Sequence, residues 1–200
     1  MERKNRLYSW IRTIFVWIIT AVIVLPIKHY VIAILLVKNT SMYPTIDDGE
    51  FVIVDRTRRL TMDEYEIGDI IMFEAPSDIK TTEEMYFEDA VATYDYEPEG
   101  VINRIIYYGL EVNKISYLKR IVAVGGDTVE FKNHKVYVNG EELVEDYLPE
   151  GTNTEPRDFN CITVPEGSVY VLGENREKSL DSRYLGCIPI EKIEGKVLFK

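Results

Sequence analysis

Ser41 lies where an apolar run ends in the polar break Lys38-Asn39-Thr40-Ser41 and the chain turns through Met42-Tyr43-Pro44-Thr45. A serine hydroxyl is a weak nucleophile at its ordinary pKa, so this position does chemistry only with a base beside it. The two histidines suit that task poorly: His29 abuts an apolar stretch and His134 sits in the turn Asn133-His134-Lys135. A Ser-His-Asp triad is disfavoured on inventory alone. Lys119 is the other base, inside Tyr117-Leu118-Lys119-Arg120-Ile121-Val122-Ala123-Val124. On a strand, Tyr117, Lys119 and Ile121 share one face while Leu118, Arg120 and Val122 share the other. An exposed ammonium with a pKa of about 10.4 is neutral less than about one part in a thousand at pH 7. Burial lowers that pKa by up to about 3–5 units and makes the free amine abundant. Taken alone, Lys119 also reads as a snorkelling lysine on a surface strand.

A third polar cluster runs from Gly173 to Gly186 (GENREKSLDSRYLG) directly after an apolar run. Asp181 and Arg183 are spaced to pair, and Ser179 or Ser182 can hydrogen-bond a neutral amine. The same residues also fit an ordinary charged loop. Gly125-Gly126-Asp127 lacks the Lys-Ser/Thr of a phosphate cradle and reads as a turn. Asn39-Thr40-Ser41 formally fits a glycosylation sequon, which would obstruct chemistry at Ser41.

The elements that must position these groups are short. Apolar runs bounded by turn signals occur at Glu50–Asp55, Asp69–Phe73, Leu118–Val124, Thr128–Phe131, Lys135–Val138, Val164–Leu172 and Lys192–Phe199. Asn139-Gly140 marks a turn, and Tyr30–Val37 either continues a helix or begins a strand. Many short strands with no long amphipathic helix predict a mostly β domain. One segment departs from this pattern. Glu74 to Gly100 holds nine acids and only Lys80 as a base, eight of the eleven excess negative charges. It reads either as a solvated excursion or as a lid or docking insertion.

At the front, Thr13–Ile27 is free of charge for 15 residues, and Leu7–Ile27 gives 21 with Arg12 included. That length suits a membrane helix, with Trp10 near headgroup depth and Arg6 and Arg12 snorkelling. No small-x-small cleavage site follows it, and it lacks the polar face of a surface helix. The bases Arg3, Lys4 and Arg6 precede the span, so the positive-inside rule places the N-terminus in the cytoplasm and the rest outside. The predicted division is an anchor over 1–28 and an extracytoplasmic β-rich domain over 29–200, with the acidic insertion at about 74–116. Outside the cytoplasm Cys161 and Cys187 either form a disulfide or stand as two buried thiols. A net charge of −11 argues against a general nucleic-acid binder, and 46% hydrophobic content against global disorder. His and Cys are too dispersed for a compact zinc site.

Together these segments resemble the bacterial type I signal peptidases, membrane-anchored Ser-Lys proteases of peptidase family S26. Ser41-Met42-Tyr43-Pro44-Thr45, Gly68–Phe73, Lys119-Arg120-Ile121-Val122 with Gly126-Asp127, and the Gly173–Gly186 loop match its motifs in order. The resemblance covers nearly the whole chain except about 74–116. It implies a coiled β-sheet catalytic domain behind one N-terminal transmembrane helix in the bacterial cell membrane. It also implies removal of signal peptides from exported preproteins through an acyl-enzyme, with no cofactor and no metal.

By this resemblance Ser41 is the nucleophile and Lys119 the general base. Ser179 orients the lysine, Tyr117 packs on its stem, and Asp181 with Arg183 is an ion pair bracing the site. The Ser41 backbone N–H forms half the oxyanion hole. The implied partners are signal peptides, bound as an added strand and cut after small residues, and the lipid bilayer. Two departures from the family pattern are Asn39, where serine or glycine usually completes the oxyanion hole, and Glu174, where Asp is usual. The insertion is a third, and specialisation for pilin or surface-protein precursors would account for it. The competing class is a non-catalytic chaperone or binding module for pilus or surface-protein assembly, which has no need to retain Ser41, Lys119, Ser179 and Asp181 together. A self-cleaving Ser-Lys protein of the LexA type fits poorly with the membrane span.

Overall fold

A computed structural model describes residues 2–61, 65–80, 90–112, 114–157 and 160–199. The acids Glu83, Glu84, Glu88 and Asp89 and the aromatics Tyr86 and Phe87 of the acidic segment lie outside the described residues.

The front of the chain is one helix, α1 (Glu2–Tyr30), whose apolar stretch Tyr8–Tyr30 carries exposed side chains apart from the half-buried His29. Twenty-three residues at about 1.5 Å each give about 35 Å, enough for a hydrocarbon core of about 30 Å. Only Val31 separates it from β1 (Ile32–Leu36), so the Tyr30–Val37 run resolves as a strand. There follow β2 (Phe51–Asp55), the single turn α2 (Arg58–Thr61), β3 (Ile70–Glu74) and α3 (Val101–Arg104), which continues as a wider helical turn over Ile105–Gly109. Then come β4 (Ser116–Val124), β5 (Thr128–Lys132), β6 (Lys135–Val138), β7 (Glu141–Glu142), β8 (Cys161–Thr163), β9 (Ser168–Leu172), α4 (Ser182–Leu185), β10 (Ile188–Pro189) and β11 (Ile193–Phe199).

The strands form a seven-stranded sheet in the order β1-β2-β11-β3-β4-β9-β10 and a four-stranded sheet β7-β6-β5-β8. Neighbouring strands in both sheets run antiparallel, so the domain is mostly β, and the larger sheet curls into a half-barrel. Three clusters of buried side chains hold it. Val122, Phe131, Val136, Ile162, Tyr170 and Leu172 join the two sheets, and Ile71, Phe73, Ile121, Val171 and Ile193 fill the curl. Ala33, Val37, Met42, Ile46, Val52, Val54 and Met72 pack beneath the turn that follows β1. Burial alternates along β2, as expected of a one-sided strand, whereas every residue of β9 is buried because sheet and loop cover both faces.

β3 ends at Glu74 and β4 starts at Ser116, so the insertion proper runs 75–115. Glu74 is not one of its solvated charges. It is buried, accepts from Tyr107 Oη at 3.1 Å and pairs with Lys114 Nζ at 3.2 Å. Cys161 and Cys187 are both free and only Cys187 is buried, so neither of the two sequence alternatives holds in full. The short strand β8 holds Cys161 at a sheet edge, with its side chain turned outward.

Candidate active site

Three elements converge on Ser41. The first is the turn after β1, seated by Met42 and Ile46, which are almost fully buried against Val52, Val54 and Met72. The Ile46 N–H donates to the Met42 carbonyl at 2.8 Å, closing a compact turn that presents Ser41 at its start. The second is β4, in register with β3 so that Lys119 stands opposite Ile71 and Tyr117 opposite Phe73. The third is the Gly173–Gly186 loop. Asn175 N–H donates to the Ser41 carbonyl at 3.0 Å, and Asn175 Nδ2 to the Thr40 carbonyl at 3.1 Å.

Lys119 takes the buried face of β4 at 2% exposure, while Arg120 turns the other way. Lys119 Nζ donates to Ser41 Oγ at 3.0 Å and to the Leu118 carbonyl at 2.9 Å, and lies 5.3 Å from the centre of the Tyr117 ring. Burial pushes the ammonium down to about 8, and the Asp181 charge opposes that fall only in part. A lysine in this setting is neutral in a useful fraction of molecules near neutral pH.

Asn39 is placed differently from an oxyanion donor. Its side-chain Oδ1 accepts from the Ser41 N–H at 3.0 Å and from the Ser41 hydroxyl at 2.8 Å. Ser179 is buried, and its Oγ has no hydrogen-bond partner among the described residues, Lys119 included. It does lie against Gly173 and the Ser41 backbone, where a Cβ on Gly173 would fall 2.0 Å from Ser179 Oγ and 2.8 Å from the Ser41 carbonyl. Gly173 is therefore required by close approach. Asp181 and Arg183 form a two-pronged ion pair, Nε–Oδ1 at 2.8 Å and Nη2–Oδ2 at 2.9 Å. Asp181 also accepts from the Gly173 N–H at 3.0 Å and caps α4 through the Arg183 N–H, so the pair closes the loop on itself.

The extra methylene of Glu174 has a use. Its Oε1 takes the Arg120 Nε–H at 3.0 Å and its Oε2 takes the Thr45 N–H at 3.2 Å, tying the loop to both other elements. Arg120 in turn stacks on Tyr147, 4.2 Å from the ring centre. Sequence reading missed Arg176, which binds the Gly173 carbonyl at 3.0 Å and clamps Thr154 and Glu145 from the 143–157 segment. Nothing in one-dimensional spacing links Glu145 to Arg176.

Beside Ser41 a groove of about 480 Å³ runs between Leu35–Asn39 and Lys114–Leu118, floored by Met42 and Met72. β1 is the edge of its sheet, and the ladder of β4 with β9 starts only at Arg120. Among the described residues the groove is thus flanked by two backbone edges without strand partners, a shape that accepts an extended peptide as a further strand.

The family profile for signal peptidase, peptidase S26, matches residues 7–200. Signal peptidase I of Bacillus licheniformis is 31% identical, with 99% of this chain and 90% of that one covered. Signal peptidase I T of Bacillus subtilis is 29% identical over 99% and 86%. Thylakoidal processing peptidase 1, chloroplastic, of Arabidopsis thaliana is 35% identical over 82% of this chain and 40% of its own. A solved signal peptidase I from Enterococcus faecalis aligns at a TM-score of 0.42 and 27% identity, covering 68% of this chain and 97% of that chain. On the profile match and the full-length identity, the chain belongs to the signal peptidase family, peptidase S26.

Proposed function

We propose that Ser41 and Lys119 form the nucleophile–base dyad of a serine endopeptidase that removes signal peptides from preproteins. The observation that carries this reading is the buried 3.0 Å contact between Lys119 Nζ and Ser41 Oγ. Removal of signal peptides is the reaction of the family, and the geometry around Ser41 supports the roles given to its residues below.

The scissile segment enters the groove beside Ser41 as an added strand between the edges of β1 and β4. Neutral Lys119 takes the Ser41 proton as Oγ attacks the carbonyl carbon. The negative charge that develops on the carbonyl oxygen calls for the Ser41 N–H, which Asn39 Oδ1 occupies at rest. Turning the Asn39 amide over exchanges Oδ1 for Nδ2–H, so the oxyanion replaces one acceptor and gains two donors. The tetrahedral adduct collapses as the Lys119 ammonium returns the proton to the leaving amine. The mature protein departs with a new N-terminus while the signal peptide remains as an ester on Ser41. Lys119 then activates a water that hydrolyses the ester. Asp181 and Arg183 hold the loop against Ser41, and Tyr117 packs over the lysine. Ser179 keeps a buried hydroxyl against Gly173, in the loop packed on the Ser41 backbone.

The helix α1 anchors the domain in the lipid bilayer. The bases ahead of it favour an orientation with that end in the cytoplasm and the catalytic domain outside, in the bacterial cell membrane. A narrower reading gives the enzyme pilin-type or surface-protein precursors as clients, with the acidic insertion selecting them. Detergent-solubilised full-length protein, incubated with one pilin-type and one ordinary secretory precursor, tests both. Cleavage after a small-x-small site by the native protein and none by Ser41→Ala supports the dyad. A rate at least about tenfold higher on the pilin-type precursor, about 1.4 kcal/mol in the barrier, supports the specialisation. Equal rates overturn it.

A further inference from the structure

The acidic composition of 74–100 hides a second half of opposite character. Residues 101–112 (VINRIIYYGLEV) carry one base and one acid, and their helical turn leaves Val101 and Ile102 74% exposed and Ile105 59% exposed. Four further apolar side chains from the same stretch, Ile106, Tyr108, Leu110 and Val112, stay open to solvent, while Tyr107 is buried. A contiguous apolar face of this size on a surface marks an interaction site.

Its neighbour identifies the occupant. Val101, Arg104, Ile105, Tyr108 and Leu110 form one wall of an open groove of about 660 Å³, and the other wall is the end of α1, Leu25, Pro26, His29 and Tyr30. Glu111 fastens the two together, pairing with Lys28 at 3.4 Å and with Arg56, which also approaches Glu194. Burial works against the Glu111 charge, but the Arg56 and Lys28 cations outweigh it and hold its carboxyl below the usual range. Leu25 lies five residues before Tyr30, about 7.5 Å deeper along the helix axis. If α1 spans the bilayer, the facing wall stands at the boundary of headgroups and acyl chains. Tyrosines and an arginine among aliphatic side chains are the composition that depth favours.

We infer that the insertion segment Val101–Leu110 is a second membrane contact, an interfacial helix whose apolar face is covered by bilayer lipid beside the end of α1. The contact fixes the height and tilt of the domain, because residues 114–118, directly after this segment, line the groove beside Ser41. It rests on α1 being in the bilayer, and Trp10 and Trp17, both in α1, report on that separately.

The test uses full-length protein in phosphatidylcholine vesicles, unlabelled or brominated on the upper acyl chain. The native protein reports on α1; Trp10→Phe/Trp17→Phe/Ile102→Trp reports on the insertion. The same background with Val144→Trp, at a position 80% exposed after β7, is the water-facing control. An apolar face about 5–10 Å into the boundary predicts that bromolipid removes about half of the Ile102→Trp emission and leaves the Val144→Trp emission unchanged. Quenching of Ile102→Trp by aqueous iodide to the same degree as Val144→Trp overturns the inference. So does protection from both quenchers, which would mean that a second copy covers the face, or native tryptophans insensitive to bromolipid. A second arm compares Ile102→Asp/Ile105→Asp with the native chain. Cleavage of a bilayer-embedded preprotein falls about tenfold, about 1.4 kcal/mol, while cleavage of a short soluble peptide is unchanged. If the native protein cuts neither substrate, the peptidase reading fails while the fluorescence still decides the membrane contact.

Discussion

Lys119 concentrates the physical cost of the site in one amine. Its pKa falls from 10.5 to about 8 because the side chain is buried, so kcat/KM for a soluble substrate should rise with pH along a limb centred near 8. Lys119→Arg, charged at every accessible pH, should show no such limb and no turnover. The same shift enters stability. Between about 8 and 10.5 the native chain binds fewer protons than the unfolded one, so this residue contributes more stability as pH rises through that window and less below it. Lys119→Met removes the term, and its stability advantage over the native chain should shrink by about 2–3 kcal/mol between pH 7 and pH 10. Paired urea titrations at the two values check this. Asn39 gives a second residue-level prediction. Asn39→Asp keeps the acceptor but can supply no donor and should lose about 10²–10³ in kcat, whereas Asn39→Ser should stay within about tenfold. Period-two alternation separates Lys119 from Arg120 but does not say which side is buried. Glu174 and Tyr147, distant in sequence, decide it by claiming Arg120. Nor does the residue type of Asn39 reveal that its oxygen faces Ser41, since that direction depends on where the turn places the serine N–H.

The loop after β9 works as one element because its ends are stitched to each other and to Ser41. Gly173→Ala would force Ser179 away from the Ser41 backbone. A displacement of the order of 1 Å at the nucleophile should cost about 10² in kcat with little change in far-UV circular dichroism. Asp181→Asn strands the buried Arg183 guanidinium and should cost about 3–5 kcal/mol, read as a Tm lower by roughly 10 °C. The strands with strong apolar runs were legible from residues alone, within one or two positions at β2, β3, β5, β6 and β11. The short strands were not. Glu141–Glu142 has no apolar signal, and Cys161–Thr163 and Ile188–Pro189 exist because neighbouring strands offer a partner. The character of residues 101–112 was illegible for a different reason: the acids of 74–100 dominate the charge count, while this second half is apolar and helical.

At the scale of the molecule, the N-terminal apolar helix and a curled sheet meet at the start of β1, with Val31 alone between helix and strand. That brevity leaves little freedom between α1 and the domain, and the Lys28–Glu111–Arg56 contacts reduce it further. A substrate that itself crosses the bilayer needs its scissile bond at a fixed height, and the insertion helix gives the domain a second point of support. The Ser41–Lys119 dyad is tested most directly by trapping its covalent intermediate. Native protein mixed with a preprotein, quenched in acid and digested, should carry the signal-peptide acyl group on the peptide containing Ser41, located by tandem mass spectrometry. The adduct should be absent from Lys119→Ala. Turnover with the acyl group on another residue, or with no ester at all, would contradict the account.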